Sequence, residues 1–388
     1  MTVDVAIVGG GIVGAALALA LEDAHASVVL IGPQSAGSRG ERDGWDSRIY
    51  TVSPGNADWL AALGIWQALP QGRLTRVEAM RVFGDDGAAE LSFSAYDAGL
   101  RELAWTVENR VLHDALWTAL QSAPHVELQR SARCADIAWG TDHALITLED
   151  GREVTARLVI GADGADSWVR ARAGISALSH GYAQLGVVAN FTSERAHEET
   201  AFQWFRCDGV LALLPLPERR VSMVWSAPET RGRELMGMSP SALGAEVTAA
   251  TREAVGRLDL IGTPVAFPLH RVRVERLAEP RVALVGDAAH NVHPLAGQGL
   301  NLGMRDAREL ASVLASRGPQ RDCGDYALLR RYERARKEDI LALDLTTDGL
   351  AKLFASGEVW LAKARNFGLA LIDLQPQLKN LLVRQATA

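Results

Sequence analysis

Cysteine is scarce and scattered: Cys134, Cys207 and Cys323 lie far apart and form no C-x-x-C pair. That removes a disulfide framework and a cysteine-built zinc site from consideration and suits a reducing cytoplasm. Positive charge is in short supply too. A formal net charge of -7 and a pI near 5.8 argue against bulk attraction to nucleic acid. Internal repeats and low-complexity tracts are missing, and no metal cluster or catalytic triad stands out. The apolar stretch 5–21 lacks the basic flank of a signal peptide, since only Asp4 precedes it, and it carries Gly9, Gly10, Gly11 and Gly14. A membrane span gives way there to a buried strand, turn and helix.

What is present is an ordinary globular composition, 48% hydrophobic and 22% charged over 388 residues. That is enough chain for two cores, or for one domain threaded through another. Hydrophobic periodicity predicts a strand at 3–8, a helix at 12–24 and a strand at 27–31, a βαβ beginning, followed by a Gly-, Ser- and Arg-rich loop at 32–46. Alternating segments at 78–83 and 90–93 read as strands that leave this fold, and a helix at 110–121 returns to it. Further strands at 185–191, 209–214 and 220–225, punctuated by Pro215, Pro217 and Pro228, predict an antiparallel sheet over the active site. A strand at 282–285, a helix at 300–316 and a long helical pattern at 325–354 close the nucleotide fold, and an apolar tail runs over 367–383. The expected fold is α/β. A Rossmann-like nucleotide domain (1–75, 100–180 and 275–355) is interleaved with an antiparallel-sheet domain (76–99 and 181–274), and a helical tail spans 356–388.

Three motifs carry chemistry. Gly9-Gly10-Gly11-Ile12-Val13-Gly14 matches G-x-G-x-x-G between a strand and a helix. In that setting the first glycine permits the turn, the second lets backbone approach a pyrophosphate, and the third packs helix on strand. The acid expected about 20 residues on, which accepts from the ribose, is replaced by Gly32. The second motif is Gly161-Ala162-Asp163-Gly164-Ala165-Asp166-Ser167, with Arg170 following. It is either a ligand turn at a strand's C-terminal end or an ordinary Asp-Gly turn with Ser167 capping a helix. The third runs from Arg281 through Gly286-Asp287-Ala288-Ala289-His290 to His293-Pro294-Leu295-Ala296-Gly297-Gln298-Gly299-Leu300-Asn301-Leu302-Gly303. Its acid can accept from a polyol hydroxyl, and its glycine-rich segment can aim N–H groups at developing negative charge.

Glycine turn, Asp163-Gly164 and Gly286-Asp287 occur in the order found in class A flavoprotein monooxygenases, which the chain resembles. Val107-Glu108-Asn109-Arg110-Val111-Leu112, Asp46-Ser47-Arg48 and the C-terminal Thr347-Asp348-Gly349-Leu350 are similar to the ubiquinone-hydroxylase subfamily, over nearly the whole chain. By that resemblance Gly9, Gly11 and Gly14 face the ADP part of FAD. Asn109 and Arg110 lie near its ribose and phosphates, and Asp163 and Gly164 serve FAD and NAD(P)H together. Gly286 and Asp287 face the ribityl chain, and Arg48 with Pro294, Gly297, Gln298, Gly299, Leu300 and Asn301 lies against the isoalloxazine. The implied reaction is hydroxylation of a polyprenylated phenol ring in ubiquinone biosynthesis. NAD(P)H or another donor reduces FAD, O2 is captured at flavin C4a, and the resulting hydroperoxide delivers its distal oxygen.

Catalytic candidates are Arg48, His290, Pro294 and Gln298. His290 and His293 are equally readable as structural hydrogen-bond partners, and no secure base stands out. Tyr182, Trp204 and Trp225, with Phe191, are candidates either for an apolar substrate pocket or for core packing. The resemblance allows a multiprotein ubiquinone-biosynthesis complex and peripheral membrane contact for a cytoplasmic protein. The tail packs on the body, docks a partner or touches a membrane surface, and Pro376 favours the first two. Another class A aromatic hydroxylase, a flavin oxidase or dehydrogenase, and a non-catalytic FAD-binding assembly protein remain as alternatives. The absent second G-x-G-x-x-G and absent paired cysteines disfavour disulfide reductases.

Overall fold

Residues 5–8 and 28–31 are apolar at every position, the pattern of strands covered on both faces. In the computed structural model, which describes residues 1–33, 44–84, 90–292, 298–318 and 320–355, they belong to adjacent parallel strands, Thr2–Val8 and Val28–Ile31. The sheet runs in the order Ala278–Glu279, Val282–Leu284, Glu153–Gly161, Thr2–Val8, Val28–Ile31, Val126–Gln129. All neighbours pair in parallel except the first two. Parallel neighbours need crossover connections, and helices Ile12–Ala20, Asn109–Leu120 and Gln298–Ala315 pack against one another and the sheet. The first helix stops at Ala20, short of the expected 24. Residues 21–25 turn instead, with His25 left-handed at φ 49, so that Val28 can align with Val5.

A second sheet has the order His290–Asn291, Leu258–Val274, Ala177–Ser193, Arg220–Pro228, Gly209–Leu216, Thr200–Arg206, Ala79–Phe83, Glu90–Ser94. It is antiparallel except where Thr200–Arg206 meets Ala79–Phe83. Helices Glu229–Met236 and Pro240–Ala250 cover one face through a core that includes Phe191, Trp204, Met223, Trp225, Leu235 and Val247. A small sheet of Ile49–Val52, Ala104–Glu108 and Leu74–Val77 joins the two, and Thr106 Oγ1 donates to the Pro215 carbonyl at 2.6 Å.

The long helix Tyr326–Ala355 ties both sheets together. Tyr332 Oη donates to the Leu284 carbonyl at 2.8 Å, and Arg271 grips Asp344 in a two-pronged pair at 2.7 and 2.6 Å. Among the described residues no helix is long and apolar enough to cross a membrane. The apolar tail lies outside the described residues.

Candidate active site

Strand register brings the three motifs together. Val8 pairs with Gly161, and Gly161 with Leu284, so the turns at 9–11, 162–164 and 286–288 sit side by side at the C-terminal ends of adjacent parallel strands. This is where open α/β sheets collect ligands. Gly9 has φ +117, and an added Cβ would fall 2.2 Å from the Ala162 carbonyl oxygen. At Gly14 a Cβ would fall 2.2 Å from the Gly9 oxygen. Packing therefore dictates both. Gly11 is different: its Cβ would meet nothing within 4 Å, and the residue lines a cavity of about 860 Å³. Gly32, where an acid was expected, has φ +147 and comes so close to the Gly10 nitrogen that a Cβ would stand at 3.2 Å. The sharp approach of the second strand to the turn, rather than a ribose contact, sets that residue.

Asp46-Ser47-Arg48 and Glu108-Asn109-Arg110 form one constellation. Asp46 accepts from the Arg48 N–H (3.0 Å), the Arg110 N–H (3.0 Å) and Asn109 Nδ2 (3.5 Å), holding the start of helix Asn109–Leu120. The buried Glu108 carboxylate accepts from the Asp46 N–H at 2.7 Å and from Arg73 at 3.0 Å. Burial pushes the Glu108 carboxyl up, against the pull of these donors and of Arg110. The result is a rigid mount that leaves Arg48 and Asn109 on the cavity wall. Arg110 does not line the cavity. Its guanidinium donates to the Gly44 carbonyl at 2.6 Å and lies 3.9 Å from Glu108.

At the second turn the carboxylate of Asp163 accepts from Ser167 Oγ and, at 3.0 Å, from the Val169 N–H, while Ser167 caps the next helix through the Arg170 N–H. Both oxygens serve the turn, so Asp163 is a turn former and not a cavity residue. Gly164 does reach the cavity, at φ +86 with open space where a Cβ would stand. Arg170 bridges the second and third turns, donating to the carbonyls of Ala165 at 2.8 Å and Ala288 at 2.9 Å.

At the third turn Gly286 adopts φ +61 and Asp287 opens onto the cavity. Although the side chain meets cavity space, it is walled by protein. Burial pushes its carboxyl up, and His290 and Arg48 pull it partly back. Behind the turn lies fully buried Asp306, unforeseen from sequence. It accepts from the Gly286 N–H at 3.0 Å, from His290 Nε2 at 2.5 Å and from Arg336 Nε at 2.8 Å. Burial raises this carboxyl, but the hydrogen bonds and charge interactions with His290 and Arg336 outweigh it and hold it below the usual range. A signal was available: Leu302, Asp306 and Leu310 share one helical stripe, and an acid inside a buried apolar stripe needs partners. His290 therefore faces Asp306 and does not line the cavity, the position of a structural hydrogen-bond partner.

Gln298, Gly299, Leu300 and Asn301 open the helix Gln298–Ala315 and line the cavity. Asn301's side chain is engaged away from the cavity. It accepts from the Ser53 N–H (2.8 Å) and Asn56 Nδ2 (3.0 Å) and donates to the Thr51 carbonyl (2.9 Å), so it rivets this helix to strand Ile49–Val52. His293, Pro294 and Gly297 lie outside the described residues.

The second sheet supplies the opposite wall with Met80, Phe93, Val188, Leu214, Val224 and Phe267. Side chains alternate between faces, and Trp204 and Trp225 fall on the helix-covered face. They are core residues and not pocket residues. Tyr182 meets His180 edge-on at 6.4 Å and does not line the cavity either. Trp225 is fully buried, with Arg206 at 5.2 Å and Arg231 at 5.4 Å from its ring centroid. Trp225→Ala is expected to cost about 3–5 kcal/mol in chemical denaturation while leaving cofactor affinity intact. Unchanged stability with weakened cofactor binding would put the ring in the site.

The residues present fit FAD. Gly11, Gly164 and Gly299 are three cavity positions where a Cβ would enter open space, so together they form a cradle that side chains would fill. The helix Ile12–Ala20 points an N-terminus without a side-chain cap or an acid in its first turn toward it, a ready phosphate site.

A family model described as an FAD binding domain matches residues 2–343. Ubiquinone hydroxylase UbiL of Rhodospirillum rubrum is 35% identical over 384 residues, 99% of this chain and 89% of that one. The 3-demethoxyubiquinol 3-hydroxylase of Escherichia coli is 34% identical over 387 residues, 99% of this chain and 98% of that one. Among solved structures, P. aeruginosa PqsL in complex with 2-aminobenzoylacetate superposes with a TM-score of 0.77 at 24% identity, covering 95% of this chain and all of that one. The chain is an FAD-dependent monooxygenase with the fold of that class. It belongs to the FAD-binding-domain family, in the branch that contains the hydroxylases of ubiquinone biosynthesis.

Proposed function

We propose that this enzyme hydroxylates the aromatic ring of a polyprenylated phenol, an intermediate of ubiquinone biosynthesis. The observation that carries the reading is a single cavity with two unlike walls. One wall is glycine-rich and polar, with Gly11, Arg48, Gly164, Asp287 and Gln298, and the other is the hydrocarbon face of the second sheet. The first wall and its segments 1–75, 100–180 and 275–355 serve FAD, and segments 76–99 and 181–274 serve the ring and its tail.

The redox chemistry is the cofactor's: electrons from NAD(P)H or another donor reach O2 through FAD. The protein's part is orientation, charge and dryness. Gly11 lets the N-terminal backbone N–H groups of helix Ile12–Ala20 approach the pyrophosphate, with Gly9 and Gly14 shaping the turn by packing, and Asn109 lies near the ribose. Asp287 accepts from the ribityl hydroxyls. Arg48 and the N-terminal N–H groups of helix Gln298–Ala315 stabilise negative charge that develops on the ring system between them. The apolar sheet excludes water from the reacting face. Exposed Leu178, Leu341 and Leu345, the first two lining a second cavity, support a reading in which the enzyme touches a membrane surface or other biosynthetic proteins.

Denaturing the purified protein is expected to release FAD near one per chain. The holoenzyme is then expected to incorporate one atom of 18O2 into a prenylated phenol with NAD(P)H as donor. No flavin, even after reconstitution with FAD, would overturn the reading.

A further inference from the structure

The apolar wall of the cavity can be followed strand by strand. Register sets Gln203 opposite Ala212, Ala212 opposite Val224 and Val224 opposite Val188, so these residues form one row across the sheet, and all of them line the cavity. Three members of the row carry only hydrocarbon. The fourth is an amide. Gln203 is only 5% exposed, and its side chain has no hydrogen-bond partner among the described residues. Its direction is fixed by its neighbours, because Phe202 and Trp204 stack at 5.8 Å within the core beneath the helices, which turns the residue between them to the other face. Two positions along, Phe205 packs into a further apolar cluster with Val82, Leu91 and Val210. Asn190, also buried in this sheet, has at least its donor engaged: its Nδ2 donates to the Asp46 carbonyl at 2.8 Å.

An amide held in a hydrocarbon wall costs stability unless something pairs with it. It offers two N–H donors and a carbonyl acceptor, the complement of a ring hydroxyl, which donates one hydrogen bond and accepts others. We propose that Gln203 binds the oxygen substituent of the aromatic substrate and so sets which ring carbon is turned toward the polar wall. The inference rests on the phenol reading above and adds the residue that orients the ring. The amide carbonyl accepts the phenol's O–H, a bond that an aryl ether cannot make.

The test uses the FAD-loaded full chain, wild type against Gln203→Met and Gln203→Leu, with 2-prenylphenol and its O-methyl ether as probes. Binding is read from the perturbation of the bound flavin's visible spectrum, and the hydroxylated position from the products. Wild type is expected to prefer the phenol over the ether by about 100-fold or more, toward the ~10⁴-fold at which a site built for a substrate hydroxyl rejects an analogue lacking it. In both variants phenol affinity is expected to fall at least about tenfold. Ether affinity holds within about twofold, because the apolar contacts remain, and hydroxylation spreads over more than one ring position. Equal losses for the two probes, an unchanged preference, or variants that no longer hold FAD would each overturn the role of Gln203. A wild-type holoenzyme that binds FAD but neither probe would overturn the phenol reading itself, and this assignment with it.

Discussion

Gly11→Val is expected to yield a folded protein that does not retain FAD. The backbone at Gly11 is extended (φ -68, ψ 177), a conformation open to any residue, and a Cβ there meets no protein atom within 4 Å. Denaturant stability of the apo protein should therefore stay within about 0.5 kcal/mol of wild type. The added isopropyl group instead enters the space where the helix N-terminus meets the pyrophosphate. FAD affinity is expected to fall by about 100-fold or more, or about 2.7 kcal/mol, as measured by equilibrium titration of the apo protein. The contrast with Gly9 and Gly14 sharpens the test. Their added Cβ atoms would strike backbone at 2.2 Å, so substitutions there should damage fold and cofactor binding together. A Gly11→Val protein that keeps wild-type FAD affinity would remove the pyrophosphate from this turn.

The second large effect is expected at Asp306, which lies behind the cavity wall and does not line it. Asp306→Ala takes the acceptor from buried Arg336 Nε and leaves its guanidinium paired only with the exposed Asp339 at 2.6 Å, removes the partner of His290 and strips the Gly286 N–H of its acceptor. Breaking a buried ion pair from one side costs about 3–5 kcal/mol, a large part of the ~5–15 kcal/mol that holds a typical domain. FAD retention is expected to fall as well, because the turn that presents Asp287 hangs on the Gly286 N–H. The acid limb gives the sign. The Asp306 carboxyl is held below its ordinary value, so its contribution is complete above the unfolded carboxylate pKa of about 3.9 and is lost as pH falls through the lower folded value. In Asp306→Asn that part of the acid dependence should vanish from stability measured against pH. A variant with wild-type stability and wild-type acid dependence would show that the network is ornamental.

These two positions also mark the limit of what could be read from the chain alone. Gly9, Gly11, Gly14, Gly164 and Gly286 announce themselves because a turn's demands on φ and on close approach are met within a few residues, and the order of the turns survives as a linear pattern. The pairing of Asp46 with the start of the helix at Asn109 left a trace as well, as two short motifs, although not the reason they travel together. Asp306, Arg336 and Gln203 left almost none, because each matters through a partner or a cavity assembled from distant segments. Trp204 and Trp225 were placed on the right sheet but could not be assigned a face. A period of two says that Gln203 and Trp204 point in opposite directions, but only the docking of helices Glu229–Met236 and Pro240–Ala250 decides which direction is core. His290 likewise sits beside the motif and faces away from the site, since the buried charge of Asp306 claims it. The sequence by itself determined the backbone turns, their order and the cofactor they suit. Tertiary packing alone decided which side chains reach the cavity, because burial and charge pairing are settled between segments and not along them.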